Sequence, residues 1–108
     1  MLENYYIKPG SIDRIHNSWL GQSIERYVRW LSEQGYSSIS VLKRVPILMQ
    51  FGEFSRNNGA KTLDEISNFI DDFAANWVRE HGKNCKTNQA RKGVSNEAKK
   101  PIHQMLEL

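Results

Sequence analysis

One cysteine, Cys85, is the only thiol in this chain, so no disulfide can close within it, and a lone thiol suits a reducing compartment. Long apolar runs are missing too. The longest span a few residues, far below the roughly 20 that a membrane crossing requires, so no membrane partner is expected. No N-terminal run joins basic residues to an apolar leader core. No glycine-rich loop offers itself to a phosphate, because the seven glycines are isolated. Repeats and low-complexity segments are absent as well.

What remains is the composition of one folded domain. The 108 residues are 39% hydrophobic, with three Trp, four Tyr and four Phe, enough for a modest core and too few for most two-lobed enzymes. Charge is divided by position. Residues 1–82 carry nine Lys/Arg against ten Asp/Glu, whereas residues 83–108 carry six against two, so the basic character belongs to the last quarter. There the cations alternate with Asn, Gln, Ser and Thr, a pattern suited to a polyanion.

Periodicity predicts helices and no strand. From Ser18 or Trp19 to Gln34, apolar residues at Leu20, Ile24, Tyr27, Val28 and Leu31 share one helical face, and Gly35 follows as the residue after the C-cap. A second helix starts with Ser37 or Ser38 as N-cap and stops at Asn57, Asn58 and Gly59. Its many apolar positions mark it as the central helix, with Val41, Leu42 and Val45 turned to the core and a kink expected at Pro46. Thr62 and Glu65 are spaced as a capping box that opens a third helix, with Leu63, Ile66, Phe69, Ile70, Phe73, Trp77 and Val78 on one face and Gly82 at its end. A fourth helix is expected from about Thr87, weakened by Gly93 and ended or restarted at Pro101.

Catalytic chemistry is sparse. His81 and Cys85 are spaced like metal ligands, but Gly82 lies between them and no second pair exists, so no metal site and no cofactor are expected. His16 and His103 are isolated. Adjacent Asp71 and Asp72 point about 100° apart on a helix and read as a solvated face. The start of the second helix is more informative. Ser40, Lys43 and Arg44 share an edge there, so hydroxyls, free N–H groups and two cations are offered together, a set that suits phosphate oxygens and base edges; the same residues also read as a capped helix start with ordinary solvated charges.

The stretch IERYVRWLSEQGYSSISVLKRVPILMQFGEFSRNNGAKTLDEISNFIDDF resembles the N-terminal core-binding domain of the tyrosine recombinases, the phage-integrase-like enzymes. Three features carry the likeness: an aromatic-rich helix ending at Leu31 to Ser37, a long helix with early basic residues and a late Phe51 and Phe54, and a Leu-Asp-Glu-Ile helix start at Leu63 to Ile66 followed by Phe69 and Phe73. The likeness covers residues 18–80 well and 84–108 more loosely, where the Pro-Ile-x-Gln-Met-Leu stretch is similar to transposon-associated members.

That resemblance implies an all-α fold, a compact SAM-like core-binding bundle of four or five short helices, with residues 1–17 as an N-terminal extension and 18–108 as the DNA-binding domain. It implies a clamp that closes on double-stranded DNA during integration or recombination, in the prokaryotic cytoplasm. The other half would be a C-terminal catalytic domain of the same parent chain, within a recombinase oligomer on DNA. No enzyme activity is expected of this chain by itself, since the family's His-x-x-Arg motif is missing. Carried over residue by residue, the DNA contacts are Ser38, Ser40, Lys43 and Arg44 on the second helix, and Lys86, Thr87, Asn88, Arg91, Lys92, Ser95 and Lys99 around the fourth. The alternative from another class is a small helical adaptor that binds protein through Trp19, Trp30 or Trp77.

Overall fold

The computed structural model describes residues 2–6 and 8–108; Met1 and Ile7, both within the expected N-terminal extension, lie outside the described residues. Among the described residues there is no strand. A short 3-10 turn at Leu2–Asn4 leads to five α-helices: α1 (Pro9–Asn17), α2 (Gly21–Glu33), α3 (Ser38–Asn57), α4 (Ile70–His81) and α5 (Asn88–Leu106). A 3-10 helix at Leu63–Phe69 runs directly into α4.

The described residues before residue 18 contribute to the packed body. Pro9 opens α1, where its missing N–H would have had no helical partner anyway. Leu2 is 0% exposed and Ile15 4%, both within the same core as α2 to α5. The turn into α2 depends on Gly21. A Cβ there would collide with the Ile15 carbonyl and lie 2.9 Å from the His16 carbonyl, so only glycine lets α2 start against the end of α1.

Two helix ends follow the glycine signals. Gly35 has φ of 83°, and the Gly35 and Tyr36 N–H groups donate to the carbonyls of Ser32 and Leu31. Gly59, with φ of 112°, repeats the arrangement at the end of α3, where Gly59 and Ala60 donate to Arg56 and Ser55. Each satisfies carbonyls that the last helical turn leaves free. At the start of α3 the N-cap is Ser37, whose Oγ accepts from the Ser40 N–H at 3.2 Å.

α3 is the central helix, in contact with α2, α4, α5 and the 3-10 helix. Val41, Val45, Ile47, Leu48 and Phe51 are buried along it, and Phe51 and Phe54 meet Phe73 edge-on at 5.4 and 5.5 Å. Leu42 departs from the expected inward orientation and is 39% exposed. The helix continues through Pro46, whose ring faces solvent.

Two further expectations are corrected. The third segment opens as a 3-10 helix, and Thr62 makes no side-chain cap; Glu65 instead reaches back to the Lys61 N–H at 3.1 Å. Pro101 neither ends nor restarts the last helix, because α5 runs unbroken from Asn88 to Leu106. Ala98, Ile102 and Met105 are buried on either side of Pro101, which is itself buried. Burial of that stripe offsets the one backbone bond the proline removes.

Gly93 and Gly52 should respond oppositely to a methyl group. Nothing lies within 4 Å of a Cβ at Gly93, whereas one at Gly52 would lie 2.9 Å from Leu20 Cδ1 and 3.2 Å from Trp19 Nε1. Thermal unfolding should show Gly93→Ala stabilised by about 0.5–1 kcal/mol and Gly52→Ala destabilised.

Candidate nucleic-acid interface

The first half of α3 and the middle of α5 face each other across an open groove of about 380 Å³. α3 contributes Ser40, Lys43, Arg44 and Ile47, and α5 contributes Asn96, Glu97, Lys100 and Pro101. The apolar pair Ile47 and Pro101 is buried beneath the polar residues, so the charged side chains stand on a packed floor.

Three of the four expected α3 residues come together here. Ser40 lies one turn inside the helix, its Oγ accepting from Ser37 at 3.1 Å, and Lys43 is exposed. Ser38 is exposed in the first turn but does not line the groove. Arg44 is held more firmly. Its Nη1 donates to Tyr27 Oη at 3.0 Å and to Gln104 Oε1 at 2.9 Å, and Tyr27 Oη donates to the same Gln104 oxygen at 2.6 Å. The guanidinium carbon also lies 5.1 Å from the centre of the Tyr36 ring. Arg44 thus keeps its charge in the groove wall while its side chain ties α2, α3 and α5 together.

The expected residues around α5 divide. Thr87 is the N-cap, its hydroxyl accepting from the Ala90 N–H at 3.0 Å, and Asn88 accepts from Arg91 at 3.2 Å. Lys99 turns to α4, where it pairs with Asp71 at 3.1 Å. Ser95 is half-buried, and Arg91 lies about 140° round the helix from Asn96. Lys92 is different. It stands one turn before Asn96, which stands one turn before Lys100, so the three form a line with an amide between two ammonium groups. Neither described ion pair, His16 with Glu25 or Lys99 with Asp71, engages Lys43, Lys92 or Lys100.

Asn96 and Lys100 were not anticipated from the sequence, although the four-residue step from Lys92 passes through both. Ahead of them, all residues from Lys86 to Gly93 are exposed, so the first turns of α5, which lie beside α4, present a polar surface to solvent. Lys43, Arg44 and Lys100 outweigh Glu97 in the groove, which leaves it net positive.

Other candidate chemistry is occupied by packing. The His81 ring stacks on Trp77 at 3.8 Å, with Nδ1 3.2 Å from the Trp77 carbonyl. Among the described residues no three His, Cys, Asp or Glu side chains are grouped to hold a metal, and no helix is long and apolar enough to cross a membrane. The tryptophans form no shared surface. Trp77 is 7% exposed, Trp30 lies against Tyr27 and Tyr36, and Trp19 donates to the Gly52 carbonyl at 2.9 Å. Compared with protein-family models, curated proteins and solved structures, the chain matches none of them.

Neighbouring cations should behave differently on removal. Arg44→Ala breaks two charge-assisted bonds and should cost about 2 kcal/mol in urea unfolding, whereas Lys43→Ala should stay within roughly 0.5 kcal/mol of the parent. Tyr27 supplies a pH signature. Burial pushes its hydroxyl above the ordinary value of 10.0, and the Arg44 hydrogen bond and charge pull part of that shift back. A raised folded pKa gives stability that is present below the unfolded value and lost as pH climbs through the folded one. Tyr27→Phe should therefore be the less stable protein near neutral pH, and the deficit should shrink above about pH 10.

Proposed function

We propose that this chain is a duplex-DNA docking domain of the type that tyrosine recombinases place on one face of their DNA, with a SAM-like core-binding arrangement of helices. The observation that carries the reading is the convergence of the α3 start and of Asn96 and Lys100 of α5 on one net-positive groove, with Lys92 one turn before Asn96 on the same edge of the helix. Those are the two helices that the recombinase resemblance assigns to the major groove.

Each part has a physical role. Lys43, Lys92 and Lys100 neutralise phosphates and release condensed counterions, a term indifferent to sequence. Ser40 and the exposed N–H groups at the start of α3 add neutral donors to phosphate oxygens. Asn96, an amide with one donor and one acceptor edge, is the side chain suited to adenine in a major groove. The exposed polar side chains of the first turns of α5 are the part of that helix suited to a groove about 12 Å wide. Arg44 acts mainly as the tie that fixes the angle between α3 and α5. Nothing in this set cuts DNA, and strand cleavage is assigned to other parts of a recombinase.

Fluorescence anisotropy with mixed-sequence duplex across a salt series tests the reading. Binding should be weak, on the order of 10⁻⁴–10⁻⁶ M at physiological salt, and steeply salt-dependent. Lys43→Ala combined with Lys100→Ala should flatten the logarithmic salt slope by about 1.8, two phosphate contacts' worth. An unchanged slope, or no binding at low salt by the folded chain, would count against DNA docking through this groove.

A further inference from the structure

The outward face of α3, away from the groove, carries its own pattern. Ile39 is 70% exposed and Leu42 39%, and Pro46 and Met49 continue the line at alternating spacings of three and four residues. That spacing is the seam with which one helix packs on another, yet on this side α3 has no helix laid along it near Ile39 and Leu42. Toward its C-terminal end the same line runs into an open trough of about 720 Å³ between α1, α3 and α4. Met49, Phe54 and Phe73 form the apolar walls, and Arg14, Glu53 and Glu80 line its charged part. An apolar ridge and an apolar trough therefore lie at opposite ends of one helix.

We propose that this face binds a second copy of the chain, with the two α3 helices antiparallel across a two-fold axis and the Leu42 end of each ridge seated in the trough of the other. Charge selects this occupant. Lys43, on the edge that the ridge shares with the groove, flanks the ridge, two carboxylates against one guanidinium flank the trough, and neither described ion pair involves Lys43, Arg14, Glu53 or Glu80. Antiparallel pairing centred on residue 48 sets Leu42 over Phe54 of the second copy and Lys43 beside its Glu53, because both pairs are symmetric about that residue. Both contacts recur on the other side of the axis, as a self-complementary interface requires. An arbitrary partner helix would need to reproduce an apolar ridge and an adjacent cation in the same order; a second copy has them already.

The interface is small, so the dimer is weak and concentration-dependent. Sedimentation velocity from micromolar to submillimolar loading, without DNA, reads it directly. The average mass should climb toward that of two chains. Leu42→Glu, at an exposed position that leaves the core intact, should raise the dissociation constant roughly tenfold or more. Lys43→Glu and Glu53→Lys should each weaken the dimer, and the double variant should recover most of the loss. A chain that stays monomeric throughout overturns the proposal, as does a dimer indifferent to Leu42→Glu. A double variant no tighter than the single ones overturns the antiparallel pairing. With no DNA present, these outcomes are independent of whether the groove binds duplex.

Discussion

The triangle of hydrogen bonds among Arg44, Tyr27 and Gln104 is the constraint on which the groove depends. Tyr27 comes from α2, Arg44 from α3 and Gln104 from α5, so one set of contacts joins three helices that the apolar core alone would allow to slide. Hydrophobic burial is non-directional and tolerates small changes in crossing angle. One guanidinium nitrogen bonded to two partners and an amide oxygen shared by two donors do not tolerate them, because these bonds weaken steeply with misalignment. Desolvation makes the arrangement exacting as well: Tyr27 is 0% exposed, and losing its partners would leave a buried hydroxyl at a cost in free energy.

The two long helices use their faces differently. On α3, the inward side buries Val41, Val45, Leu48 and Phe51, the edge toward α5 supplies Ser40 and Lys43, and the outer side leaves Ile39 and Leu42 in water. On α5, a narrow stripe of Ala98, Ile102 and Met105 is buried in the body while the side chains of its earlier turns, beside α4, are exposed. Lys99, on the side nearest α4, pairs with Asp71, whereas Lys92 and Lys100, on another side of the helix, pair with no described carboxylate.

Local chemistry made much of this legible in the sequence. Gly35 and Gly59 marked helix ends because left-handed backbone is cheap for glycine, and the 3.6-residue spacing found the inner faces of α2 and, Leu42 excepted, of α3. The misses have physical reasons. α1 has only Ile12 and Ile15 as an apolar face, too short a pattern to register, although it gains its place by packing on α2. Thr62 and Glu65 have capping-box spacing, but the backbone tightens into a 3-10 helix and the carboxylate reaches Lys61 instead. Pro101 reads as a helix breaker until the buried stripe around it is known. In the groove, Ser40 and Lys43 were visible as one helical edge. The inward hold on Arg44 was not, since its partner amide lies 60 residues further along the chain.

That separation also bears on how the domain is made. At about 5–20 residues per second of synthesis, roughly 3–12 s pass between the appearance of Arg44 and that of Gln104, 60 residues later. Throughout that interval α2 and α3 can form and touch, but Tyr27 has no amide to donate to and the positions filled by Ala98, Ile102 and Met105 stand empty. The nascent domain therefore waits, with an apolar surface exposed, for the most basic part of its own sequence.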